Sequence, residues 1–254
     1  MSDVLSTRGI SVRFGGVHAV REVDLAVPEG KLVGLIGPNG AGKTTFIDAI
    51  TGFVPAGGTV KLGDDDLTRL GSHKRASLGL ARTWQTIELF DDLTVTENLE
   101  VAAERPRLQT TLREVLWKAQ PPTESVLEAL DLLGLRHMRE ALPADLSQGQ
   151  RKLIGVARAL AAQPRVLCLD EPAAGLDTTE SQEFGVVLRR LVDGGLPMLL
   201  IDHDMALVLS ICDYLYVIDF GTVIAQGTPQ QVRTDPRVIA AYLGGSSDGG
   251  DHAS

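Results

Sequence analysis

Apolar and polar positions alternate along the first stretch of the chain. Ile10, Val12, Val23, Leu25 and Val27 follow this period between Leu5 and Val27, and Gly15-Gly16 interrupts them. The pattern predicts two strands joined by a turn. Leu32 to Ile36 is an apolar run, and beyond a Gly-rich segment Phe46, Ile47 and Ile50 share one helical face, which predicts strand, loop and helix in that order. Val60 and Leu62, after Gly57-Gly58, predict another short strand, and Asp64-Asp65-Asp66 reads as a solvated loop. A short helix is expected from Ser72 to Leu80, ending near Gly79. Between about Leu93 and Leu142 strand signals vanish: Val126, Leu127, Leu130 and Leu133 keep helical spacing, Gly134 is placed as a helix terminator, and Pro106 and Pro121-Pro122 divide the stretch into short helices. Leu153, Val156, Ala157 and Leu160 mark a further helix, Val166 to Leu169 a buried strand, and Phe184, Val187, Leu188 and Leu191 a long helix. Met198 to Ile201, Tyr214 to Ile218 and Thr222 to Ala225 read as strands, followed by short helices near Gln230 and from Pro236 to Leu243. The whole is an α/β pattern with an all-helical insertion, and the Gly/Ser/Asp-rich tail from Gly244 to Ser254 is expected to be disordered.

Composition narrows the classes. The 254 residues are 44% hydrophobic, enough for a real core. With 24 basic and 33 acidic residues the net charge is −9, and there is no basic run, which disfavours a nucleic-acid partner held by phosphate neutralisation. Met1 to Thr7 lacks the features of a signal peptide, and no uncharged apolar run reaches the roughly 18 to 20 residues that span a bilayer; a cytoplasmic location is expected. The two cysteines, Cys168 and Cys212, make no metal-ligand spacing and read as buried thiols.

The Gly-rich segment carries the chemistry. Gly37-Pro38-Asn39-Gly40-Ala41-Gly42-Lys43-Thr44 fits the phosphate-binding pattern G-x-x-x-x-G-K-[ST] at every fixed position, between the predicted strand and helix. Its glycines let backbone N–H groups converge on a polyphosphate at a helix N-terminus. Lys43, expected to stand exposed on the loop, would neutralise terminal phosphates, and Thr44 would offer its hydroxyl to Mg²⁺. Asp170-Glu171 follows a predicted strand, where open α/β sheets bind ligands. Asp170 suits a Mg²⁺ contact, and Glu171 could take a proton from the attacking water. His203 ends another strand on the same edge and could donate to a γ-phosphate. Phe14 reads either as a base-stacking aromatic or as an edge-strand residue packed on the core. Ser147 with Gln150 forms a capping box, as does Asp177 with Glu180; Gly149 lies at a helix start with N–H groups open to an anion. Gln85, taken alone, says almost nothing.

Taken together, the phosphate loop, Gln85, the helical segment, Leu146-Ser147-Gln148-Gly149-Gln150, the strand ending in Asp170-Glu171, Gly175-Leu176-Asp177 and His203 resemble the nucleotide-binding subunit of ATP-binding cassette (ABC) transporters, over Leu5 to Leu243. The resemblance implies a P-loop NTPase core with an N-terminal antiparallel β subdomain, at residues 1–86 and 160–254, with 244–254 a disordered tail, and a helical subdomain at 87–159. It implies ATP and Mg²⁺, and a head-to-tail pair of subunits with each ATP held between one phosphate loop, Gly37 to Thr44 with Thr45, and the other subunit's Ser147, Gly149 and Gln150. By the same resemblance Phe14 stacks on adenine, Gln85 contacts Mg²⁺ and water, Glu171 is the catalytic base, Asp177 reaches across the interface and His203 contacts the γ-phosphate. Partners would be a second ATPase subunit, two membrane permeases and, indirectly, a solute-binding protein, at the cytoplasmic face of the membrane. Ala81-Arg82-Thr83-Trp84-Gln85, Glu171-Pro172-Ala173-Ala174-Gly175-Leu176, Gly227-Thr228-Pro229 and Ala241-Tyr242-Leu243-Gly244 are similar to the ATPases of branched-chain amino-acid uptake. A lipopolysaccharide-type exporter ATPase shares the ending, and a non-transport cassette ATPase is the alternative from another class. The chain departs from the general pattern at Gln148, where most cassettes have Gly, at Trp84, where Phe is usual, and in the short segment between Asn98 and Thr123.

Overall fold

The alternating N-terminal segment forms β1 (Asp3–Phe14) and β2 (Val17–Pro28), turning at Gly15-Gly16. The structure is a computed structural model that describes residues 2–83, 89–103 and 122–244. The apolar run is β3 (Leu32–Ile36), which leads through the Gly-rich loop into α1 (Lys43–Thr51). Next come β4 (Gly57–Leu62), β5 (Asp65–Asp66), α2 (Ser72–Ser77) and β6 (Leu80–Arg82). The helical stretch contains α3 (Val95–Ala103), α4 (Glu124–Leu132) and α5 (Gln148–Ala161). The chain then alternates through β7 (Val166–Asp170), α6 (Thr178–Asp193), β8 (Met198–Ile201), α7 (Met205–Ile211), β9 (Tyr214–Asp219) and β10 (Thr222–Gly227), and closes with α8 (Pro229–Arg233) and α9 (Pro236–Gly244).

Among the described residues the strands make two sheets, an antiparallel one in the order β2-β1-β4-β5 and a six-stranded one in the order β10-β9-β3-β8-β7-β6. In the larger sheet β3 pairs parallel with β8 and β9, β7 with β6 and β8, and only the last strand, β10, is antiparallel. Because side chains alternate across a strand, β3 serves two cores. Leu32 and Ile36 join one built with α3 to α7, whereas Val33 and Leu35 join another in which Phe46, Ile47 and Ile50 of α1 lie against Leu5, Val27 and Leu62 of the smaller sheet. A Cβ at Gly34 between them would sit 2.5 Å from the Leu215 side chain, which would have to shift to admit it. This arrangement holds α1, and the loop before it, between the two sheets.

Three local differences from the sequence reading have physical causes. Leu80–Arg82 is a strand, too short to show a period of its own and held by pairing with Leu167 and Cys168 on β7. Asp65 and Asp66 are not a free loop: they pair with Leu62 and Lys61, and Asp65 accepts a hydrogen bond from Arg165 at 2.5 Å, a partner 100 residues away. Helix α7 also escaped the periodicity, because it is only seven residues long and is specified at its start. Asp204 accepts from the N–H groups of Ala206 and Leu207 at 2.9 and 3.1 Å, and from the hydroxyl of Ser181 on α6 at 2.9 Å. Replacing that cap by Ala should cost about 1–2 kcal/mol. Urea unfolding of Asp204→Ala is expected to show a lowered midpoint with an unchanged slope.

Candidate functional site

The Gly37–Thr44 loop is clamped by its neighbours. The Gly221 N–H donates to Ala41 O at 2.9 Å, and Gly221 O accepts from Arg21 N–H at 2.8 Å, tying the β9–β10 turn to both the loop and β2. Gly42, at φ +104°, faces the carbonyl of Ala19, and Gly37, at φ +156°, the carbonyl of Ile218; a Cβ at either would collide with backbone. Both contacts are between main chains, which have no flexible end to move aside. On the outer side Asn39 and Gly40 are exposed, and around Gly40 a Cβ would meet nothing. Pro38 is partly buried and Ala41 buried, and Thr44 and Thr45 lie in the first turn of α1.

Lys43 departs from expectation. It is buried, 6% exposed, and its Nζ donates to the carbonyls of Gly37 and Pro38 at 2.7 and 2.9 Å. Burial lowers its pKa from the ordinary lysine value, while the charges of Glu171 and Asp170 act in the opposite direction. The loop thus curls around its own lysine, with two acids close enough to be felt.

Asp170 and Glu171 stand at the end of β7, Asp170 as its last buried residue. Glu171 has φ +46°, an uncommon conformation for a side-chain-bearing residue that costs roughly 1–2 kcal/mol. It is held there by its N–H to Ile201 O at 2.7 Å and by its carbonyl, which accepts from Ala174 N–H at 3.2 Å. His203, exposed beyond β8, places Nδ1 3.7 Å from a Glu171 carboxylate oxygen and 3.8 Å from Asp202. Asp202 itself is buried and accepts from the N–H groups of Ala173 and Asp204, so it braces the turns on either side of Glu171 and His203.

Phe14 is 53% exposed at the end of β1, which excludes the reading as a residue packed in the core. Ser147 caps α5 with both halves of the capping box present, and Asp177 caps α6 in the same way. These two helix starts touch: Gln148 lies over Gly175, and Gly149 faces Glu180 and Leu176. Gln85 and Trp84 lie outside the described residues, as do Pro106, Pro121 and the tail beyond Gly244.

A cavity of about 1250 Å³ opens between α1, the end of β7 and α5. Thr44, Asp48, Arg82 and Asp170 line it together with Phe90, Arg151 and Arg158. Ser147, Gly149 and Asp177 are not among its lining residues, and neither are Lys43, Glu171 and His203. Two charged residues here were missed by the sequence reading. Arg82, at the end of β6, donates to Asp170 at 2.7 Å and to Asp48 at 2.5 Å. Lys152 on α5 is 7% exposed; burial lowers its pKa, against the charges of Asp202 and Glu171. Neither has a spacing signal, because what defines both is the set of acids brought to them by other elements.

Residues 20–174 match the family described as ABC transporter. The chain belongs to the ABC transporter family. Its activity is ATP hydrolysis, and such cassettes work in transporter complexes with membrane subunits. Among the described residues no helix is long and apolar enough to cross a membrane. Residues 222–248 match a second family, described as branched-chain amino acid ATP-binding cassette transporter. The chain is 40% identical over 250 residues to the high-affinity branched-chain amino acid transport ATP-binding protein BraF of Pseudomonas aeruginosa, covering 95% of this chain and 98% of that one. It is 42% identical over 250 residues to its counterpart LivG of Escherichia coli, with the same coverage. The lipopolysaccharide export system ATP-binding protein LptB of Escherichia coli is 34% identical over 241 residues, with 94% and 97% covered. A solved nucleotide-free ATP-binding cassette from an ABC transporter superposes with a TM-score of 0.82 at 32% identity, covering 94% of this chain and 98% of that one.

Proposed function

We propose that this cassette is the ATPase of an importer for branched-chain amino acids or related small polar solutes. The observation that carries the reading is the match of residues 222–248 to the branched-chain family, in addition to the general cassette match at 20–174. The higher identity to BraF and LivG than to LptB supports import over lipopolysaccharide export.

In this reading the loop Gly37 to Thr45 receives the phosphates of ATP. Lys43, already surrounded by carbonyl oxygens, exchanges them for phosphate oxygens, and exposed Phe14 stacks on the adenine. Thr44 and Asp170 fit Mg²⁺: both present hard oxygen donors, both line the same cavity, and among the described residues no cluster of three or more His, Cys, Asp or Glu offers a full protein cage. That is the donor set expected of an ion completed by phosphates and water. When bound, the ion neutralises charge on the transferred phosphoryl group. Glu171 takes the proton of the attacking water, its carboxylate aimed by the left-handed backbone, and His203 donates to the γ-phosphate. Gln85 would add a ligand to metal and water. In this reading the two units are the core at 1–86 and 160–254 and the helical part at 87–159.

Cells lacking this subunit are expected to lose uptake of radiolabelled leucine, and wild type but not Glu171→Gln should restore it. Unchanged uptake in the deleted strain would remove the substrate assignment.

The helix starts capped by Ser147 and Asp177, with Gly149 and Gln150, fit a site shared by two subunits, each contributing them to the other's phosphate loop. Lys43→Ala and Ser147→Arg, each inactive alone, should then complement when mixed. One site of the mixed dimer carries both lesions and the other neither, so activity should return to roughly one site's worth if the sites act independently. No recovery after demonstrated subunit exchange would count against the shared site. A solute-binding protein and two permeases complete the assembly.

A further inference from the structure

Arg82 is a buried cation between two acids. Its side chain is 5% exposed, that of Asp170 6%, and that of Asp48 26%. The backbone around it is fixed by pairing of Arg82 with Cys168 in β7 and by the Thr83 N–H to Cys168 O bond at 2.9 Å. Its guanidinium also lies 5.9 Å from the centre of the Phe53 ring. The two Arg82 nitrogens divide between the acids, Nη2 to Asp170 Oδ2 and Nη1 to Asp48 Oδ1. Thr44, Asp48, Arg82 and Asp170 all line one cavity.

We propose that Arg82 is a positioning residue for the metal-binding carboxylate, and that the Asp48–Arg82–Asp170 triad sets how strongly the site holds Mg²⁺. This rests on the assignment of Asp170 to Mg²⁺ above. A buried carboxylate without a counter-charge is costly, so without metal Arg82 supplies that charge and holds one oxygen of Asp170 in place. A cation approaching Asp170 meets the same guanidinium as a like charge. Asp48 resolves the conflict: on the more exposed side, it gives Arg82 a second anchor, so the guanidinium stays seated when Asp170 turns to the metal. The triad's net charge of one negative leaves the site attractive to Mg²⁺ without making it bind metal as tightly as a bare pair of acids.

The test is the dependence of nucleotide affinity on metal. The dissociation constant of a fluorescent N-methylanthraniloyl ADP is measured in EDTA and in Mg²⁺, and the ratio of the two reports how strongly protein and metal cooperate. Wild type should show a ratio above one, and Asp170→Asn should abolish it. Arg82→Gln should raise the ratio about tenfold or more, the direction and order expected when a unit charge is removed within several ångströms of a divalent ion. Asp48→Asn should lower it several-fold, because Arg82 then turns its undivided charge on Asp170, and Arg82→Lys, which keeps the charge, should stay near wild type. Opposite shifts for Arg82→Gln and Asp48→Asn are what a merely structural ion pair would not produce. Equal ratios in folded wild type, Arg82→Gln and Asp48→Asn would overturn the role of the triad while leaving Asp170 a metal ligand. A wild-type ratio of one, unaltered by Asp170→Asn, would overturn the metal assignment and the triad with it. Should Arg82→Gln fail to fold by circular dichroism, the more exposed Asp48→Asn decides alone: a lowered ratio supports the triad and an unchanged one overturns it.

Discussion

Glu171→Gln is expected to keep ATP binding and to slow steady-state hydrolysis by roughly 10²–10⁴, the usual contribution of a general base. The amide preserves the shape and packing of the carboxylate but cannot accept the water's proton. The geometry sharpens the expectation. Glu171 is held at φ +46° by hydrogen bonds of its own main chain to Ile201 and Ala174, so the substitution leaves the backbone in place and removes the proton acceptor. ATP should therefore accumulate on the protein, and an ATP-stabilised dimer should be visible by size-exclusion chromatography with the variant but not with wild type. Near-normal turnover in Glu171→Gln would exclude this residue as the base and turn attention to His203, 3.7 Å away.

The second large effect is expected at Lys43. Lys43→Ala should weaken nucleotide binding by about 10²-fold or more, since two charge-assisted hydrogen bonds at about 1.5–3 kcal/mol each are lost. The lysine is not a free surface charge: it is buried and bonded to the carbonyls of Gly37 and Pro38. Truncation therefore also loosens the loop, and the nucleotide-free protein should unfold at a slightly lower temperature, by an amount limited because the desolvation cost of the buried charge is removed with it. The two consequences are measured separately, nucleotide affinity by titration and the fold by circular dichroism and thermal melting. Retained tight ATP binding in a folded Lys43→Ala would count against the phosphate-loop assignment.

Much of the architecture was legible in order. A period of two predicted β1 and β2; the apolar runs predicted β3, β7 and β8; Ser147 with Gln150 and Asp177 with Glu180 announced the starts of α5 and α6, and both capping boxes are present. Such features are local, written within a few residues by the alternation of a strand, the pitch of a helix or the reach of a side chain to its own main chain. The motif around Lys43 was legible because its Gly and Lys spacing is written within one short segment, whereas the contacts that exclude a Cβ at positions 37 and 42, with the carbonyls of Ile218 and Ala19, are made between segments far apart. By itself the sequence determined the order of most elements, the phosphate loop and the family. Tertiary structure decided what depends on residues far apart in the chain. Short β6 exists because β7 lies beside it, Asp65 is paired because Arg165 reaches it, and Lys43 is buried because its loop closes over it. Arg82 is the clearest case: neither Asp48 nor Asp170 is near it in sequence, and only the packing of α1 and β7 against β6 turns this arginine into the charge that two carboxylates share.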